Sequence, residues 1–151
     1  MGNYYAKTRT NYFSVTDVEQ FKKIMSSCNG SDAIETFYEK QSDGSIKYGF
    51  YCEGSIKGLP EREDETGNTE YFDDDDVDYN YDALCEALQQ ILPDNDAIII
   101  TEVGSEKMRY LTGICAVITR DEIQYLDLSR TAVKLAAEML ENIEFTTKNY
   151  Y

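Results

Sequence analysis

The chain has 151 residues, 42% of them hydrophobic, which suits one domain with its own core and excludes global disorder. Twenty-nine acids against fourteen cations leave a net charge of −15, a field that repels nucleic acid and anionic membrane and draws cationic partners. Histidine is absent, and with it the commonest general base and metal ligand.

Residues 3–15, rich in Tyr, Thr, Phe and Val, predict a first strand. Lys7 and Arg9 in it are expected to pair across the sheet or to blunt an edge. Thr16-Asp17-Val18-Glu19 reads as a capping box opening a helix, with Val18, Phe21, Ile24, Met25 and Cys28 at helical spacing. Asn29-Gly30 is expected to end it in a left-handed cap. Two strands follow, Ile34 to Lys40 and Ile46 to Cys52, joined by Ser42-Asp43-Gly44-Ser45, where Asp-Gly predicts a type I′ hairpin turn. Residues 54–80 interrupt the pattern as a long acidic loop. Tyr81, Leu84, Cys85, Leu88, Ile91 and Leu92 then line one face of a second helix, which Pro93 stops. Ala97 to Ile100 has no polar alternation and predicts a central strand covered on both faces. Gly104 to Lys107 is expected to turn the chain into a partner strand, Leu111 to Ile118, and Ile123 to Leu126 forms a last short strand. Ser129 is expected to cap a third helix whose Val133, Ala136, Ala137, Leu140 and Ile143 face inward. The order β-α-β-β-α-β-β-β-α predicts a single α+β domain over 1–151, a mostly antiparallel sheet with three helices on one face, partly ferredoxin-like.

Cys28, Cys52, Cys85 and Cys115 are far apart, with no Cys-x-x-Cys pair, so zinc spacing is missing and free, mostly buried thiols are expected. There is no signal-peptide pattern and no apolar run of membrane-spanning length, so the expected compartment is a reducing cytoplasm. Gly2 is not a myristoylation signal, because Ala6 stands where that motif needs a hydroxyl.

The charge is concentrated. Between Glu61 and Asp82 lie eleven acids against Arg62 alone, a local charge of −10 and two-thirds of the total. The candidate partner-binding residues are Glu61, Glu63, Asp64, Glu65, Glu70, Asp73, Asp74, Asp75, Asp76, Asp78 and Asp82, with the interleaved Tyr71 and Tyr79 as aromatic anchors. An extended chain rises about 3.3 Å per residue. A DNA strand carries one phosphate per about 3.4 Å of axis. Asp73 to Asp76 thus matches the charge density of a nucleic-acid strand, and neighbouring rings supply the apolar contact that bases make. The alternative for any charge run is a solvated surface loop.

Tests for chemistry come out negative. Asp74, Asp76 and Asp78 have the spacing of a calcium loop, but Tyr79 and Cys85 occupy its glycine and glutamate positions. No phosphate-cradling glycine motif occurs. No catalytic residue, cofactor or metal site is therefore assigned. Enzymatic use of carboxylates needs a facing pair in a concave pocket.

The opening Asn3-Tyr4-Tyr5-Ala6-Lys7-Thr8-Arg9-Thr10-Asn11-Tyr12-Phe13, with Val15, resembles the start of small acidic proteins carried by phages and conjugative elements. Glu106-Lys107-Met108-Arg109-Tyr110-Leu111-Thr112-Gly113 is similar to a later segment of the same group. The wider class includes anti-restriction and anti-CRISPR proteins, several of them acidic DNA mimics. The resemblance implies an anti-defence role, identifies no target and carries over no binding residues; charge mimicry makes a host nucleic-acid-binding factor the expected target. An immunity protein that neutralises a basic nuclease toxin satisfies the same charge argument. Either way the expected partner is a basic protein, with neither nucleic acid nor membrane bound directly. The aromatic termini and an edge strand leave room for a homodimer.

Overall fold

A computed structural model of the chain describes residues 4–60, 78–106 and 110–147. The elements, in chain order, are β1 (Tyr4–Thr10), α1 (Val18–Ser27), β2 (Asn29–Gly30), β3 (Ile34–Lys40), β4 (Ile46–Cys52), β5 (Ile56–Pro60), β6 (Tyr79–Asn80), α2 (Tyr81–Gln89), β7 (Ile98–Glu106), β8 (Tyr110–Ile118), β9 (Ile123–Asp127) and α3 (Leu128–Leu140). Six strands form one antiparallel sheet in the order β3-β4-β1-β7-β8-β9, and β2-β5-β6 form a small second sheet. The first four strands of the large sheet, with α1 after β1 and α2 before β7, have the split-βαβ order of the ferredoxin-like arrangement.

Directly paired residues share a face, and one face carries the core. Thr8 and Thr10, Phe50 and Cys52, Ile98 and Ile100, Ala116 and Ile118 all point there and are buried. Phe21, Ile24 and Met25 of α1 and Leu84, Cys85 and Leu88 of α2 cover them. Phe13 meets Phe21 and Phe50 edge to face at 5.7 and 6.3 Å. Burying each such side chain contributes about 1.5–3 kcal/mol. The two core threonines are satisfied: Thr8 Oγ1 donates to the Gly54 carbonyl at 2.7 Å, and Thr10 Oγ1 donates to Asn11 O and accepts from Phe50 N.

Several local expectations are corrected. The first strand stops at Thr10, because the Asn11 side chain takes over its ladder. Asn11 Nδ2 donates to Ala97 O at 3.0 Å and Oδ1 accepts from Ile99 N at 2.8 Å, so after one last long backbone bond, Asn11 N to Ile99 O at 3.4 Å, the chain leaves the sheet and pairs again at the Phe13–Tyr48 bridge. β1 is an interior strand and blunts no edge. Lys7 instead pairs with Glu53 at 3.8 Å, and the Arg9 guanidinium lies 4.7 Å from the centre of the Phe37 ring. The cap of α1 is Asp17, whose carboxylate accepts from Gln20 N. Asn29-Gly30 forms no left-handed cap, since α1 ends at an extended Cys28 and the pair becomes β2, hydrogen-bonded to β5. At the hairpin only Gly44 takes positive φ, at 92°; with Gly44 N donating to Gln41 O this is a type I turn closed by a glycine bulge, not type I′. Gly104 to Glu106 continue β7, paired with Tyr110 to Thr112 of β8, rather than turning. Ile99 is 38% exposed, so β7 is covered on one face and open on the other. The expected loop over 54–80 is in part strand, since β5 and β6 lie at its two ends.

Helix α3 differs most from expectation. Its cap is Asp127, accepting from Arg130 N at 3.2 Å, not Ser129. Ala137 is its one buried residue, and Leu140 and Ile143 are 60% and 93% exposed rather than inward.

Candidate partner-binding site

The acidic segment leaves and rejoins the described fold at one place. β5 and β6 pair antiparallel, Leu59 with Asn80 and Pro60 with Tyr79, so residues on either side of it are held side by side. Gly58 makes the approach possible. Its φ is 119°, and a Cβ there would run into the Asn80 backbone, so no other residue fits without strain. β6 passes directly into α2: Asn80 is the helix cap, its Oδ1 accepting from Ala83 N at 2.9 Å. Tyr79 is tied to the small sheet, its hydroxyl accepting from Asn29 Nδ2 at 2.8 Å.

Of the predicted site residues, Asp78, Tyr79 and Asp82 are described. Asp78 and Asp82 are exposed, and Tyr79 is half-buried. Asp82 stands in the first turn of α2, where a carboxylate interacts favourably with the helix dipole. Its Oδ1 accepts from the Tyr125 hydroxyl at 2.7 Å, which ties α2 to β9. Glu61, Glu63, Asp64, Glu65, Glu70, Tyr71, Asp73, Asp74, Asp75 and Asp76 lie outside the described residues, as does the Lys107 to Arg109 part of the second resembling segment.

Beside this root is an open cavity of about 570 Å³ between the start of α2, the core face of β7 to β9 and the start of α3. Ile100, Ile114 and Ala116 form an apolar part of its lining. Tyr81, Tyr125, Asp82, Glu102, Asp127 and Arg130 supply the polar and aromatic part. Sequence reasoning did not single out this constellation, although one signal was present: Glu102 interrupts the inward register Ile98, Ile100 with a carboxylate. The chain meets that carboxylate with donors. Glu102 Oε2 accepts from the Tyr4 hydroxyl at 2.7 Å and from Ser55 Oγ at 2.9 Å. Tyr4 reaches it by lying across Gly104, where a Cβ would collide with the ring. All three carboxylates in the cavity thus accept hydrogen bonds from the protein, Asp127 through its capping bond to Arg130 N.

Burial pushes the Tyr81 hydroxyl well above the usual tyrosine range, and the nearby Cys85 thiol and Glu102 carboxylate push the same way, so it stays a neutral donor. Burial likewise pushes the Cys85 thiol up to about 11 and that of Cys28 up to about 12. Nucleophilic cysteines need the opposite shift. Cys28, Cys52, Cys85 and Cys115 are all free thiols. Among the described residues no group of three or more Cys, Asp or Glu is placed to hold a metal ion, and no helix is long and apolar enough to cross a membrane. The chain matches no protein-family model, no curated protein and no solved structure.

Proposed function

We propose that the chain is a non-enzymatic inhibitor that occupies the nucleic-acid-binding surface of a basic protein by presenting carboxylates where that surface expects phosphates. The observation that carries this reading is the concentration of charge: eleven acids and one arginine between Glu61 and Asp82, in a segment whose two ends are clamped together by β5 and β6. A clamped root sets the segment on the fold at one defined place, and Asp82 extends the same charge onto α2. The cavity at the root adds a seat for one cationic side chain of the partner. Its carboxylates match the charge, Tyr81 and Tyr125 offer aromatic faces, and the isoleucine floor suits an aliphatic stem. The resemblance supplies the anti-defence role, and the phosphate-like spacing of the acids supplies the kind of target, a host nucleic-acid-binding defence factor.

The test is competition. A protein captured from the host at low salt is expected to release the chain steeply as salt rises, and to exchange it for duplex DNA or RNA. A partner that holds the chain and its nucleic acid at the same time sinks the proposal. Replacing Asp73 to Asp76 together by Asn is expected to abolish capture while circular dichroism stays unchanged. Capture of a nuclease toxin, silenced on binding, assigns the immunity reading instead.

A further inference from the structure

The cavity beside the root of the acidic segment is charged on two sides and apolar between them. On the core face of the sheet, Glu102 of β7, Ile114 of β8 and Asp127 of β9 stand opposite one another in a single row. Neighbouring strands lie about 4.8 Å apart, so the backbones carrying the two carboxylates are about 10 Å apart, with an isoleucine between them. Ile100 and Ala116, in the next row, continue the apolar floor. Tyr125, two residues before Asp127 on the same face of β9, holds Asp82 on the Asp127 side through its 2.7 Å bond. Arg130 begins on that side too, since Asp127 caps α3 by accepting from its backbone N–H.

The fold leaves these charged groups half engaged. Glu102 accepts both of its hydrogen bonds at Oε2, and Asp82 and Asp127 accept theirs at Oδ1. The second oxygen of each accepts none from the described residues. The Arg130 guanidinium shares the cavity with all three carboxylates and, among the described residues, forms no ion pair. One side of the cavity thus offers a lone carboxylate, and the other offers two carboxylates with a guanidinium.

A basic α-amino acid is the complement of that layout. It carries a distal cation, an aliphatic stem, and an α-ammonium next to an α-carboxylate. The distal cation meets Glu102 Oε1, the stem crosses Ile114 and Ala116, the α-ammonium meets Asp82 and Asp127, and the α-carboxylate meets Arg130. A four-carbon stem with a hydrogen bond at each end bridges the row of Glu102 and Asp127. The volume, about 570 Å³, falls in the range of about 300–1,000 Å³ that small-molecule sites occupy.

We infer that this cavity is a receptor for a free basic amino acid, arginine or lysine, held by Glu102 at its side-chain cation and by Arg130 at its α-carboxylate. The inference rests on the reading of the cavity as a cation seat and adds a regulator to it, because the free amino acid and the partner's side chain compete for one place.

Isothermal titration calorimetry on the purified full chain, with no partner present, tests this. L-Arginine and L-lysine are expected to bind one to one. Citrulline, the neutral isostere of arginine, and agmatine, which lacks the carboxylate, are each expected to bind about tenfold more weakly or worse. Two variants then separate the ends of the site. Glu102→Gln keeps an acceptor for Tyr4 and Ser55 and is expected to bind arginine no better than citrulline, while still preferring arginine to agmatine. Arg130→Gln keeps the backbone cap and is expected to do the opposite, losing the preference over agmatine and keeping that over citrulline. Circular dichroism of both should match wild type, and general damage to the fold would not produce this crossed pattern. No saturable binding of arginine or lysine, wild-type binding of citrulline or agmatine as tight as that of arginine, or variants that leave both preferences intact would each overturn the inference. A chain that binds no basic amino acid but still yields a captured partner to DNA overturns this inference alone. Arginine binding by a chain whose partner holds its nucleic acid at the same time supports it and sinks only the inhibitory role.

Discussion

Helices α1 and α2 and helix α3 share an amphipathic plan but bury it to different extents. In α1 and α2 the apolar residues at helical spacing, Phe21 and Ile24, Leu84 and Leu88, are all within 5% of full burial and form one cluster with the sheet. In α3 only Ala137 is buried, while Leu128, Leu135, Met139 and Leu140 stand in solvent. The core face over β1, β4 and β7 is already filled by the first two helices, so α3, which follows directly from the edge strand β9, has only the margin of the sheet to pack on. Periodicity shows that a helix has an apolar side; which surface that side meets depends on what earlier elements have already covered.

The sharpest way to break this contrast is truncation on each side of it. Leu88→Ala removes a side chain with no exposure and is expected to cost about 2–5 kcal/mol in urea unfolding. Gly58→Ala forces a Cβ into the Asn80 backbone at positive φ and is expected to cost about 1–3 kcal/mol. It should also loosen the clamp under the acidic segment, which increased proteolysis between Glu61 and Asp78 would reveal. Asn80→Ala, which removes the cap of α2, is expected to cost about 0.5–2 kcal/mol by the same assay. Leu135→Ala, at a side chain 54% exposed, is expected to stay within about 0.5 kcal/mol of wild type. A loss there as large as that of Leu88→Ala would place α3 in the core and end the comparison.

The smallest effect at neutral pH comes from the thiols, and it appears only in alkali. Cys28 and Cys85 titrate near 12 and 11 when folded, against 9.0 for an ordinary thiol. Below pH 9 both states hold these protons and stability is unaffected. Above pH 9 the unfolded chain releases them first, so stability is expected to fall as pH rises from about 9 toward 11–12. Urea midpoints at pH 8 and pH 10.5 check the sign, and no drop between them would contradict the burial of these groups.

The legible part of the fold was where each residue's neighbours along the chain decide its environment. The faces of α1 and α2, the alternation of β4, the hairpin position and the element order all follow from periods of two or 3.6. Features decided by distant residues did not show. Asn11 replaces a ladder with its side chain, Gly104 yields space to Tyr4, and Asn29-Gly30 becomes a strand because β5 offers it a partner. The candidate site divides the same way. The run of acids is plain in sequence. The cavity joining Asp82 to Glu102, Tyr125 and Asp127 is not, because four separate elements bring its lining together.

The interior place of β1 has a consequence for how the chain is made. Of the described strands, β1 is synthesised before the others, yet it is one of the central strands of the sheet, and it pairs with β4 on one side and along its whole length with β7 on the other. At about 5–20 residues per second, Tyr4 to Thr10 wait on the order of 5–20 s for Ile100 to Glu106 to be synthesised. During that interval a strand carrying Tyr4, Tyr5 and two buried-to-be threonines has no β7 to pair with. Nascent chains stalled before β7 are thus expected to be protease-sensitive throughout, and the sheet to close in one late step rather than growing from its N-terminal end.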